Sequence, residues 1–135
     1  MPNGGWNAPL DDLATYLAFL TNATHGDPAT RGRYDTVLKH SSLEEMWKGL
    51  NPVGTPATTP DRMESMGLSF FITRRGSATF IGHTGSQAGF LAFVYLNPAS
   101  GAAVVAAFNT ANDVGPKPEQ SAFQTIREAA LKLIE

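Results

Sequence analysis

The chain has no cysteine, which excludes a disulfide framework, a thiol nucleophile and a thiolate metal site and leaves the redox compartment undetermined. No apolar run approaches the roughly 18 residues that a bilayer-spanning helix needs. Charge is also scarce: charged residues are 16% of the sequence, and 10 Lys and Arg against 12 Asp and Glu give a formal net charge of -2. The basic residues are scattered, so there is no electrostatic footprint for nucleic acid or an anionic membrane, and neither is expected as a partner. Met1-Pro2-Asn3-Gly4-Gly5 has no basic stretch leading into an apolar one and does not read as a secretory signal peptide. Internal repeats are absent. His25 and His40 lie in polar surroundings with no partner at ligand spacing, so they read as solvated surface residues, and no metal site is expected.

What is present describes one globular domain. A length of 135 residues with 42% hydrophobic content is enough for a sequestered core. Residues 1–135 read as a single domain in three parts: a helical part over 1–50, a linker loop over 51–65, and a sheet followed by a C-terminal helix over 66–135. Residues 2–7 are turn-rich. Pro9 then suits the first turn of a helix whose positive end is complemented by Asp11 and Asp12. Leu10, Leu13, Leu17 and Leu20 recur at helical spacing, Tyr16 and Phe19 broaden the stripe, and the stretch from Thr21 and Asn22 to Gly26, Asp27 and Pro28 ends it.

Residues 27–40 read as polar and irregular up to Tyr34, Val37 and Leu38. Ser41 and Ser42 each have a glutamate three residues on, the spacing of a capping box, which predicts a short second helix through about Lys48. Both serines therefore read as caps rather than nucleophiles. Residues 51–61 hold three prolines and three threonines and read as loop.

Beyond the loop the period changes. Residues 67–74, 78–81, 90–96 and 102–108 are runs of aromatic and branched side chains with strand character. Asn97-Pro98-Ala99-Ser100-Gly101 places proline and glycine where a hairpin turn between the last two runs wants them. The expected fold class is α+β: an antiparallel sheet with a C-terminal packing helix and two N-terminal helices. The runs 90–96 and 102–108 do not alternate apolar with polar, the pattern of strands covered on both faces. One covering layer comes from residues 118–135, where Phe123, Ile126, Ala130 and Leu133 form a stripe and Glu128 and Lys132 sit four apart in the favourable order. The other comes from the first two helices or from sequence outside this chain.

The stretch Gly82-His83-Thr84-Gly85-Ser86-Gln87-Ala88-Gly89-Phe90 lies between two strand-like runs, polar and punctuated by glycine, where backbone can approach a ligand closely. It is the candidate site. The plain reading of His83 alone is a half-buried histidine at a glycine-flanked strand end. Its flanks say more. This stretch, followed by Phe93-Val94-Tyr95-Leu96-Asn97-Pro98 and by Gly101-Ala102-Ala103-Val104-Val105 leading to Asn109, resembles the serine β-lactamase and penicillin-binding-protein-like hydrolases, in particular the class C-like branch with its esterases and DD-peptidases. Pro2-Asn3-Gly4-Gly5 before Asp12-Leu13-Ala14, and Ser42-Leu43-Glu44-Glu45-Met46-Trp47, extend the resemblance over nearly the whole chain, in the family's order.

In that family a Ser-x-x-Lys carries the nucleophile, a Tyr-x-Asn or Ser-x-Asn follows, and a Lys-Thr-Gly lies on a sheet strand. The resemblance implies that His83-Thr84-Gly85 is the third motif with histidine in place of lysine, a replacement known among esterase- and peptidase-like members that puts dedicated β-lactamase activity in doubt. It implies that the N–H of Ser86 is one oxyanion donor, that His83 and Thr84 offer hydrogen bonds to a substrate carboxylate or the catalytic base, and that Gly85 and Gln87 line the substrate's path. It implies no cofactor, a small ester, amide or peptide-like substrate, and a periplasmic or secreted setting in many relatives.

The other two motifs do not appear. No serine is followed three residues later by lysine; Thr36-Val37-Leu38-Lys39 has the spacing without the serine, and Tyr95-Leu96-Asn97 falls after the third motif, in a strand. With no activated nucleophile, covalent acyl transfer has no route within this sequence. The expectation is the C-terminal portion of such a hydrolase, a partial β-lactamase or transpeptidase-like fold, inactive alone and prone to self-association or to rescue by an N-terminal partner segment. The alternative is a non-catalytic module that binds a ligand or protein along 82–90.

Overall fold

The computed structural model describes residues 7–53, 62–87, 89–109 and 121–135. The turn-rich start at 2–6, most of the expected linker (54–61), Ala88 of the candidate site and residues 118–120 of the expected last helix lie outside these.

Helix α1 spans Leu10–His25, with Pro9 as its N-cap residue and Asp11 and Asp12 in the first turn. Leu17, Leu20 and Ala23 are buried, whereas Leu10 and Tyr16, at the N-terminal end of the expected stripe, remain exposed. The segment after it is not irregular. Helix α2, Pro28–Asp35, starts there because the Asp27 carboxylate accepts from the N–H groups of Ala29 and Thr30 at 2.9 Å each and Pro28 occupies the first turn. These bonds hold the Asp27 carboxyl below its ordinary range.

Helix α3 spans His40–Met46 and corrects a second expectation. Its N-cap residue is Lys39, with no side-chain cap, and Ser41 and Ser42 lie inside the helix rather than capping it. Asp35 at the end of α2 takes that role, accepting from the His40 N–H at 2.9 Å. His40 is not fully solvated either: its Nε2 lies 3.4 Å from Glu44, and its Nδ1 is buried.

Six strands follow: β1 Asn51–Pro52, β2 Arg62–Met66, β3 Phe71–Arg75, β4 Ala78–Gln87, β5 Phe90–Leu96 and β6 Ala103–Phe108. They form one sheet in sequence order, every neighbouring pair antiparallel. The strand expected over 67–74 starts late: residues 67–70 form the turn that leaves β2, and β3 begins at Phe71. Gly67 N–H donates to the Phe70 carbonyl at 2.8 Å, and Ser69 takes a positive φ of 66° between them. The stretch expected as linker thus holds β1 and most of β2, whose arginine and glutamate mask its strand character.

Both faces of the sheet are covered. On one, Ile72, Ile81 and Leu96 pack with Leu17, Leu20 and Ala23 of α1, Leu43 of α3, and Phe70. The second layer is therefore built from α1–α3, three helices where two were expected. On the other face Phe80, Phe93 and Tyr95 pack under Ala130, Leu131 and Ile134. Helix α4, Ala122–Leu133, begins where the Ser121 side chain accepts from the Gln124 N–H. Phe123 docks it, meeting Phe93 at 5.7 Å and Phe108 at 5.8 Å between ring centroids.

The buried stripe of α4 is rotated from the expected one: Ile126 and Leu133 are 43% and 83% exposed, while Arg127 is buried. The reason is polar. Arg127 Nε donates to the Tyr95 hydroxyl at 2.8 Å and its NH2 group to Glu64 at 2.8 Å, and Glu64 also accepts from the Thr73 hydroxyl at 3.1 Å. Glu128 reaches back to Arg75 of β3 at 2.6 Å.

Burial pushes the Tyr95 phenol above its ordinary value of 10.0, against the opposing pull of Arg127. The folded chain then holds this proton more tightly than the unfolded one. The resulting stabilisation is complete below the unfolded value and is lost as pH rises through the folded one. Tyr16 is raised in the same direction by partial desolvation, although its side chain is 38% exposed. Urea midpoints measured from about pH 8 to about pH 11 should fall above pH ~10, and Tyr95→Phe should flatten that fall.

Candidate functional site

All five residues 83–87 lie at the end of β4, a strand of ten residues. Its first half pairs with β3, from Ala78 opposite Arg75 to Gly82 opposite Phe71. Its second half pairs with β5, from Ile81 opposite Leu96 to Gln87 opposite Phe90. Beyond Gly82, β3 has not yet begun. The β3-side edge of His83, Thr84, Gly85, Ser86 and Gln87 has no strand partner among the described residues.

The two hairpins decide which backbone groups use that edge. A two-residue connection closes on a hydrogen-bonded pair, and bonded pairs then alternate along an antiparallel ladder. Arg75 and Ala78 flank Gly76-Ser77, so Ala78, Phe80 and Gly82 direct their N–H and C=O groups toward β3. Gln87 and Phe90 likewise flank a two-residue connection, so Gln87, Gly85 and His83 direct theirs toward β5. Both hairpins give the same parity. Thr84 and Ser86 therefore turn their N–H and C=O groups outward, to the open edge.

Side chains follow the complementary alternation. His83 pairs with Val94, which packs on the α1–α3 side, and Thr84 pairs with Phe93, in the core beneath α4. His83, Gly85 and Gln87 thus share one face and Thr84 and Ser86 the other. The five expected residues share the strand edge rather than one face, so a ligand touching all of them lies along the edge. His83, Gly85, Ser86 and Gln87 are exposed and Thr84 is half-buried. A methyl group at Gly85 would meet nothing within 4 Å, which leaves that approach open.

Two features hold the edge in place. The Phe71 ring, at the start of β3, stacks on the His83 imidazole with centroids 5.0 Å apart and planes 30° apart. On the other side Gly82 lies against Tyr95, whose hydroxyl is anchored by Arg127. Phe71 and Arg127 carry no motif signal, and the Tyr-x-Asn match at Tyr95 does not point to this packing role. The reach of Tyr95 toward Gly82 follows from register alone.

The two weaker sequence matches lead elsewhere. Thr36 closes α2, its hydroxyl donating to the Arg33 carbonyl at 2.7 Å, and Lys39 precedes α3, so they do not share a helix. Tyr95 and Asn97 are buried in structural bonds, Asn97 donating to the Ile134 carbonyl at 2.8 Å and accepting from the Ala99 N–H at 2.9 Å. His25 sits at the end of α1, its Nε2 against the Pro98 carbonyl at the opposite end of the sheet.

Four helices packed on a six-stranded antiparallel sheet define the class: an α+β fold consistent with part of a β-lactamase-like fold. The chain belongs to the Beta-lactamase family, whose sequence profile matches residues 1–130. Comparison with curated proteins and with solved structures gave no match.

Proposed function

We propose that this chain supplies the sheet-edge wall of an acyl-transfer hydrolase site, with the serine nucleophile coming from sequence outside it. One observation carries the reading: the outward N–H groups of Thr84, inside the His83-Thr84-Gly85 motif, and of Ser86, which follows it, lie on an edge with no strand partner among the described residues. In acyl transfer a nucleophile adds to a carbonyl, and the negative charge that develops on its oxygen is stabilised by fixed backbone donors. Ser86 N–H would be one such donor, and the nucleophile's own N–H the second. His83 and Thr84 flank the edge from opposite faces and would hold a substrate carboxylate or the catalytic base. Gly85 keeps the approach clear for a small ester, amide or peptide-like substrate, and Gln87 lines its far end. Histidine in the first motif position favours the esterase- and peptidase-like, class C-related branch over a dedicated β-lactamase. This reaction would need no cofactor.

Within this chain no Ser-x-x-Lys is available to activate a serine. The isolated chain should therefore turn over neither a chromogenic cephalosporin nor a nitrophenyl ester above buffer. Turnover that disappears in Ser41→Ala, Ser42→Ala or Ser86→Ala would overturn the proposal.

A further inference from the structure

A cavity of about 480 Å³ opens at the end of the sheet opposite residues 83–87, between the C-terminal end of α3 and the start of β4. That volume lies in the range of small-molecule sites. Thr79 and Ile81 of β4 line one side, on the face that packs against α1–α3, with Ser77 of the preceding turn beside them. Glu44, Trp47 and Lys48 line the other, three and four residues apart and so on one helical face. Pro98 and Ala99, in the turn between β5 and β6, close the third side. This turn is held rigidly. The Asn97 side chain accepts from the Ala99 N–H at 2.9 Å and donates to the Ile134 carbonyl at 2.8 Å, while His25 Nε2 meets the Pro98 carbonyl. A wall fixed before binding costs a ligand little to order.

The chemistry of the lining selects among ligands. Its two charged groups already have polar neighbours: Glu44 lies 3.4 Å from the His40 imidazole, and Lys48 lies 2.5 Å from Glu45. An ionic ligand would have to displace one of these. The free hydrogen-bonding groups are instead the hydroxyls of Ser77 and Thr79, which have no partner among the described residues. A hydroxyl both donates and accepts, so another hydroxyl is its natural complement. Trp47, half-buried, adds aromatic surface, and Ile81 and Pro98 add aliphatic surface.

We propose that this cavity binds a short neutral saccharide. A pyranose ring offers what the lining asks for, hydroxyls around its rim and C–H groups on its faces. Its hydroxyls bond to Ser77, Thr79 and the Glu44 carboxylate while one face lies against Trp47. All three walls come from this chain, so the site requires no sequence outside it. The inference is independent of the hydrolase reading, whose residues occupy the other end of β4.

Titration of the full chain with cellobiose and with maltose, followed by ¹H–¹⁵N shifts, tests it. Trp47 provides the reporter: its Nε1–H is buried with no acceptor among the described residues. The chain has two tryptophans, so Trp6→Phe assigns the indole signal. The expected result is a saturable shift of that signal and of the amides of Ser77, Thr79 and Ala99 with at least one of the two sugars. Glycylglycine and inorganic phosphate should leave them in place. Ser77→Ala/Thr79→Val removes both hydroxyls with little change of shape and should weaken binding about tenfold. Trp47→Phe should keep part of the affinity and Trp47→Ala none; if Trp47→Ala fails to fold, the hydroxyl double variant decides. No saturable shift with either sugar would overturn the proposal. So would equal shifts with glycylglycine or phosphate, shifts confined to 83–87, or a double variant that binds like the wild type.

Discussion

Gly82→Ala is expected to destabilise the chain by about 3 kcal/mol, the upper part of the range for overpacking a closed site. A Cβ on Gly82 would fall 2.1 Å from the Val94 carbonyl oxygen and 2.3 Å from the Tyr95 ring. The carbonyl belongs to the neighbouring strand and cannot rotate aside. The ring is held by the bond from Arg127 to its hydroxyl. β4 and β5 would have to separate next to His83, where the site begins. Gly85→Ala is the internal control. Space is open there, and the change should alter stability by no more than about 0.5 kcal/mol while obstructing whatever lies along the edge. Urea unfolding of both variants measures the contrast; equal losses would show that the strand end is not packed as described.

Arg127→Ala should also cost about 3 kcal/mol, by a different route. Arg127 is 7% exposed and bridges α4 to β2 and β5 through Glu64 and Tyr95. Truncating it leaves a phenol hydroxyl unpaired in the core and a half-buried carboxylate with one partner fewer. Lysine should rescue little, since a single ammonium cannot reproduce the fixed fork of donors that meets both groups. Glu64→Gln should cost less, about 1 kcal/mol, because an amide oxygen still accepts from Arg127 and Thr73. Thermal unfolding of the three variants orders these costs, with Arg127→Ala lowest.

Much of this was readable from local signals. The hairpin of β5 and β6 followed from proline and glycine in the five residues between them. The absence of alternation in both strands correctly implied cover on two faces. Helix α2 was missed: Asp27-Pro28 is an N-cap followed by a first-turn proline, but the low apolar content of the helix hid it. Periodicity could not find β2, because Glu64 breaks its apolar pattern and its carboxylate is accommodated by Arg127 and Thr73, which are distant in sequence. Nor could it place Arg127, which is buried because Tyr95 and Glu64, distant in sequence, converge on it. The candidate site divides in the same way. Its residues stood out as a glycine-punctuated motif, but the outward turn of Thr84 and Ser86 depends on two hairpin closures and on β3 starting at Phe71. Pairing decides that, and a motif does not encode it.

The central claim is that the edge of β4 from His83 to Gln87 receives a substrate through its outward backbone groups. Titrating the chain with a penicillin while recording amide ¹H–¹⁵N shifts tests this directly. The account predicts weak, saturable shifts concentrated on Thr84 and Ser86, smaller ones on His83, Gly85 and Gln87, whose amides face β5, and loss of the pattern in Gly85→Ala. Shifts that cluster elsewhere on the chain, or no saturable shifts in 83–87, would contradict it.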